Sequence, residues 1–246
     1  MTVCALFDTD RTLVDISRLV ERAFGEATFT HVGKRFKFSD LTPEQATGVH
    51  MERLYLMWME NVVEKEDLRT AELWPSVKAD YERELLKLLY LPRVHGHSYR
   101  CTGAVPFLKF LKRNSIPCGV FSGAQKKVHE ATLHATGLEA YFDARVSADD
   151  HLSDGKKLDT RAKLIECCYA KLRIKYPSII PEETVVFGDT PKDITSAREY
   201  GAKSVAICAS SLFTREQLVK SNPTGVYASF KHFRRIYADL FEEHKS

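Results

Sequence analysis

Two aspartates separated by a single residue close the first apolar run of the chain, in Phe7-Asp8-Thr9-Asp10-Arg11-Thr12-Leu13. Positions two apart on an extended backbone point to the same side, so both carboxylates leave the strand end together. A carboxylate that attacks phosphorus splits a slow hydrolysis into two displacements. A second carboxyl beside it can protonate the leaving alcohol and later take a proton from water. Asp8 and Asp10 are therefore the candidate nucleophile and acid/base. The plain structural alternative is a pair of loop aspartates capping the next helix.

Two further polar clusters follow apolar runs. Ser122-Gly123-Ala124 supplies a hydroxyl and backbone donors ahead of a helix expected to begin near Gln125, an arrangement suited to phosphoryl oxygens. Serine-glycine after a strand is also ordinary turn chemistry. Gly188-Asp189-Thr190-Pro191-Lys192-Asp193 places two carboxylates four residues apart at another strand-to-helix junction. Hard oxygen donors of this kind suit Mg2+, which would offset the repulsion between a carboxylate nucleophile and a phosphate. Asp193 can equally be a simple helix cap. A cation for the transferring group must come from Gly155-Lys156-Lys157-Leu158-Asp159-Thr160-Arg161-Ala162-Lys163. Lys157, just ahead of the expected helix start, is preferred, with Lys163 and Arg161 as alternatives.

The clusters presuppose a scaffold that brings them together. Residues 3–7, 116–121 and 184–187 read as buried parallel strands, and shorter runs at 142–146, 204–208 and 225–228 as further strands of one sheet. Helical patterns at 104–113, 125–136, 160–173 and 192–200 lie between them. This alternation predicts an α/β fold with a mainly parallel, Rossmann-like sheet covered on both faces. Ligands bind at the carboxyl ends of such strands, where all three clusters fall. Residues 16–100 break the alternation with amphipathic runs at 43–63 and 75–90. They read as an inserted helical domain, with 1–15 and 101–246 forming the core.

Composition adds mainly exclusions. The 246 residues carry 36 basic and 33 acidic side chains, a net charge of +3 without a nucleic-acid or membrane bias. The start of the chain lacks a signal-peptide pattern, and no apolar stretch approaches membrane-spanning length. Six cysteines without paired spacing fit packed thiols in a reducing compartment, so a cytoplasmic protein is expected. His95 and His97 flank Gly96 without a nearby cysteine or carboxylate, which suits a loop better than a metal site. The basic tail reads as a final helix with Phe233, Ile236 and Leu240 inward.

In order, the Asp8 segment, Ser122, a lysine and the Gly188–Asp193 segment resemble the four motifs of the haloacid dehalogenase superfamily. The resemblance spans nearly the whole chain. It implies a helical cap over a Rossmann-like core and a Mg2+-dependent phosphatase acting on a small phosphorylated metabolite, similar to the phosphoglycolate phosphatase branch. By carry-over, Asp8 is nucleophile and metal ligand, and Asp10 is acid/base and lends its carbonyl to the metal. Ser122 and the cation hold the phosphoryl group, and Asp189 with Asp193 completes the metal set. Thr12, Ser122, Gly123 and Arg11 are the candidate substrate contacts. Arg11 stands where glycine is common and would either meet substrate, screening out bulky leaving groups, or point into the cap. Arg69, Trp74, Arg93, His95, His97 and Arg100 are candidate cap residues facing the crevice. A phosphomutase of the beta-phosphoglucomutase kind and a catalytically idle binding relative are the rival readings; monomer and homodimer both remain open.

Overall fold

The computed structural model describes residues 3–46, 51–62, 70–91, 99–152, 155 and 157–242. Six strands form one parallel sheet: β1 (Cys4–Asp8), β2 (Cys118–Phe121), β3 (Ala144–Val146), β4 (Thr184–Gly188), β5 (Lys203–Ile207) and β6 (Gly225–Tyr227). Their spatial order is β3-β2-β1-β4-β5-β6. The order reverses direction at β1, between β2 and β4, so the loops leaving these three strands share one crevice.

Alternating side chains of β1 serve opposite faces of the sheet. Ala5 and Phe7 join a core with α5 (Ala104–Arg113) and α10 (Phe233–Phe241), while Cys4 and Leu6 pack toward α7 (Arg161–Lys175) and α8 (Pro191–Glu199). Phe7 stacks on Phe187 of the neighbouring strand, with ring centroids 4.7 Å apart. Two aromatic faces thus fix the β1–β4 register just below the carboxylates that end these strands. Strand β2 starts at Cys118 rather than Ile116 because Pro117 has no backbone donor; its carbonyl accepts from the Ala5 amide.

Between β1 and β2 lie α1 (Ser17–Val32), α2 (Pro43–Ala46), α3 (Met51–Val62) and α4 (Thr70–Leu89), before α5 returns to the sheet. The run expected over 43–63 is two helices, with 47–50 outside the described residues. Phe24, Phe36, Tyr55, Trp58, Val77 and Leu85 give this helical block its own apolar core, which Val128 and Ala131 of α6 (Lys126–Ala135) also join. The Trp58 indole donates to Asp40, satisfying the one polar atom of a buried ring. The remaining helix, α9 (Arg215–Lys220), sits between β5 and β6. No helix among the described residues is long and apolar enough to cross a membrane.

Candidate active site

Asp8 is the last residue of a strand paired on both sides, and it stands opposite Phe121 of β2. Asp189 follows the end of β4, and Asp193 lies in the first turn of α8. Ligand atoms of Asp8, Asp189 and Asp193 come within 4.8 Å of one another, and all three residues are buried. Asp193 completes a capping box: its Oδ2 accepts from the Thr190 amide at 3.1 Å, while its own amide donates to the Thr190 hydroxyl at 3.2 Å. Gly188 allows this approach, since a Cβ there would fall 2.3 Å from Asp193 Cβ. The helix-cap reading of Asp193 is thus realised, and the same side chain reaches the cluster. It caps α8 through Oδ2 and turns Oδ1 into the cluster.

The cation among these carboxylates is Arg161, the first residue of α7. Its Nη1 donates to Asp8 Oδ1 at 2.7 Å and its Nε lies 2.9 Å from Asp193 Oδ1. The Thr160 hydroxyl caps α7 by accepting from the Lys163 amide, which sets the turn that carries Arg161 inward. Burial works against the guanidinium charge, but Asp193 and Asp8 outweigh it, so Arg161 stays protonated. Burial pushes the Asp8 carboxyl well above the usual carboxylate range; Arg161 opposes that shift, while Asp193, Asp189 and Asp10 add to it. Asp189 is likewise raised, first by burial and then by Asp193.

A cluster this acidic with one arginine is short of positive charge. Asp189 Oδ1 accepts from the Thr12 hydroxyl at 3.2 Å, but its buried Oδ2 has no partner among the described residues. An orphaned carboxylate oxygen beside two further buried carboxylates fits a bound divalent cation. Asp10 stays open to the crevice although protein crowds its carboxyl. Desolvation raises its pKa, and the hydrogen bond from Ser122 Oγ to its Oδ2, 3.3 Å, acts the other way.

A family model described as haloacid dehalogenase-like hydrolase matches residues 5–207. The chain belongs to this family. It is an enzyme of the hydrolase type, as its four motifs imply. Among its relatives, the pyrophosphatase PpaX of Bacillus cereus (strain B4264) is 24% identical over 202 residues, covering 82% of this chain and 81% of its own. In fold the chain is similar to a predicted phosphoglycolate phosphatase from Haemophilus somnus 129pt, with a TM-score of 0.74 and 15% identity over 96% of this chain and 97% of that one. It is also similar to the beta-phosphoglucomutase (pgmB) from Clostridium difficile, with a TM-score of 0.67 and 17% identity over 99% of both chains.

Several groups expected at the site are placed elsewhere or already engaged. Lys157, preferred as the cation, is exposed and its backbone forms a bridge with His151, away from the carboxylates. Lys163 pairs at 2.7 Å with Asp159, which lies just ahead of α7 on the surface. Thr12, expected against substrate, is fully buried and its hydroxyl is committed to Asp189, so it supports a carboxylate from behind. The start of α6, expected to hold phosphoryl oxygens, is already taken by an anion of the chain itself: Asp149 Oδ1 accepts from the Lys126 amide at 2.7 Å. Ser122 and Gly123 remain in the crevice wall, with open space where a Cβ of Gly123 would stand.

Arg11 takes a left-handed backbone, φ 61°, and its side chain leaves the catalytic loop for the helical block. Its Nε donates to Ser17 Oγ at 3.1 Å and its guanidinium sits 5.3 Å from the Phe38 ring centre. Arg100 is spent on the end of α6, donating to the Thr136 carbonyl at 2.6 Å. Trp74 is buried and lines a second cavity beside the first. Arg69, Arg93, His95 and His97 lie outside the described residues.

One group escaped the sequence reading. His129 is buried behind the catalytic loop, with Nε2 2.9 Å from Thr9 Oγ1 and Nδ1 3.0 Å from Ser147 Oγ. Thr9 Oγ1 donates its proton to the Phe121 carbonyl, so it must accept from His129 Nε2. The imidazole is therefore the neutral Nε2–H tautomer, and burial pushes its pKa down to about 4. A lone histidine in an apolar-periodic helix carries no signal of this role.

Proposed function

We propose that the chain is a Mg2+-dependent phosphatase that hydrolyses a small phosphorylated metabolite in the cytoplasm, through an aspartyl-phosphate on Asp8. The observation that carries this reading is the buried Asp8 carboxylate, held by Arg161 and grouped with Asp189 and Asp193 while Asp10 stands beside it. Asp8 Oδ forms the bond to phosphorus as the bond to the leaving oxygen breaks. Asp10, raised toward neutrality by desolvation, gives its proton to that oxygen. Water then attacks the phosphorus, Asp10 takes a proton from it, and Asp8 is released as carboxylate.

Ser122 orients Asp10, and Arg161 fixes the rotamer of Asp8 and balances charge on the transferring oxygens. Asp8, Asp189 and the Asp10 carbonyl, with Asp193 close by, would hold Mg2+, which supplies further neutralisation of phosphoryl charge. The helical block from α1 to α4 acts as the cap that shields the reaction from bulk water. Free thiols at all six cysteines support the cytoplasmic placement. The test is steady-state release of inorganic phosphate from a sugar monophosphate with Mg2+ and analysis of its products. Turnover should vanish in Asp8→Asn, and an isomerised ester in place of inorganic phosphate would overturn the reading.

A further inference from the structure

The crevice above Asp8 and Asp10 encloses about 190 Å³. On the helical side its wall is Ile16, Val20, Phe38, Met51, Leu54 and Leu85. Among the described residues, most polar groups on that side are already engaged. Ser17 accepts from Arg11 and donates to Asp15, and the Arg11 guanidinium lies over Phe38. On α6, the Thr132 hydroxyl is bonded to the Val128 carbonyl, and His129 is held by Thr9 and Ser147. What remain are the terminal amino groups of Arg11, beside the Phe38 ring, and the hydroxyl of Tyr81, which makes no hydrogen bond among the described residues, while its ring packs edge-on against Phe24 at 5.4 Å.

The floor of this crevice is strongly polar and its roof is apolar, a division that separates a phosphoryl end from a leaving-group end. A polyhydroxylated leaving group placed against the roof would lose water from each hydroxyl and find only one phenol and the edge of the Arg11 guanidinium in return, a loss of roughly tenfold in affinity per unmatched hydroxyl. An apolar leaving group would gain about fourfold per buried methylene. The crevice volume is shared with the phosphoryl group, so the leaving group can reach at most about the size of benzene, for which an apolar cavity of about 150 Å³ suffices.

We propose that the substrate class is the phosphate monoester of a compact apolar alcohol or phenol, up to about the size of a benzyl group, with Tyr81 meeting its single polar atom. This rests on the phosphatase reading for the floor of the site, but its own content is a binding preference that needs no turnover. The experiment is calorimetric titration of the full chain, with Mg2+ present, using methyl-, n-pentyl- and 2,3-dihydroxypropyl-phosphonate. The last two have equal heavy-atom counts. Pentyl should bind at least tenfold tighter than dihydroxypropyl, and that ratio should fall toward one in Leu54→Asn and, as a second variant, Val20→Asn. Equal or tighter binding of the dihydroxypropyl compound overturns the proposal.

A kinetic arm separates the two readings. A kcat/KM for benzyl phosphate above those for ribose 5-phosphate and pyrophosphate supports the proposal, and the reverse order overturns it. Absence of turnover with every ester, alongside an intact pentyl preference, removes the phosphatase reading and upholds the apolar chamber.

Discussion

Arg161 Nη1 stands 2.7 Å from Asp8 Oδ1, which makes the first residue of one helix the counter-charge of the last residue of the central strand. Because the guanidinium also reaches Asp193, its planar fork holds two carboxylates in fixed relation. Arg161→Ala should lower kcat by roughly 10²- to 10³-fold, the range for losing one preorganised charge partner. Arg161→Lys should recover only part of this, since an ammonium cannot span both oxygens. Lys157→Ala should leave kcat close to that of the parent. Steady-state kinetics on the three variants decide which cation serves the site.

The core of this arrangement was legible in the sequence for a physical reason. Strands buried on both faces must be apolar runs, and catalytic carboxylates must sit where such runs end, so Asp8 and Asp189 announce themselves. Choosing among Lys157, Arg161 and Lys163 was a different problem. All three lie within seven residues around a helix start, and the inward one is selected by where the Thr160 cap begins the helix. Thr12 and Asp149 were hidden likewise, because their partners Asp189 and Lys126 are far away in sequence. The apolar wall of the crevice was invisible because Ile16, Val20, Leu54 and Leu85 look in sequence like ordinary packing residues.

Metal binding should depend on pH in a direction set by the carboxylates. Asp189 is pushed up to about 8 by burial and Asp193 while no cation is present. A carboxyl raised above its unfolded value keeps its proton in the folded state while the unfolded chain has already lost it. The apo protein therefore loses stability as pH rises from roughly 4 to 8. A divalent cation relieves that repulsion and binds the ionised form. The increase in melting temperature on adding Mg2+ should be larger at pH 8 than at pH 5.5, and removal by EDTA should reverse it. An equal shift at both pH values would contradict the assignment of these carboxylates as ligands.

Gly188 offers a test of the Asp193 position that substitutes no side chain of the site. A methyl there meets Asp193 Cβ at 2.3 Å, and the capping box leaves Asp193 little freedom to retreat. Gly188→Ala should cost about 1–3 kcal/mol of stability through overpacking. It should also lower kcat by displacing the carboxylate that pairs with Arg161. Urea unfolding and steady-state kinetics read the two effects separately. A variant of parental stability and activity would show that the strand-to-helix junction relaxes freely.

His129 should report on the catalytic loop through acid stability. Its folded pKa of about 4 lies below the ordinary 6.5, so between these values the unfolded chain binds a proton that the folded protein refuses. Its contribution is complete above pH 6.5 and is lost as pH falls toward 4, by about 3 kcal/mol at most. Asp8 and Asp189 shift in the opposite sense, so the informative quantity is the difference between parent and His129→Gln. Urea unfolding at pH 7 and pH 4.5 should show the parent losing about 2–3 kcal/mol more than the variant. Because His129 supports Thr9 between Asp8 and Asp10, the same variant should lower kcat more than it changes KM for acetyl phosphate. Parallel acid sensitivity in the two proteins would mean that the imidazole is protonated in the folded state, and the tautomer assigned from the Thr9 and Phe121 hydrogen bonds would fall with it.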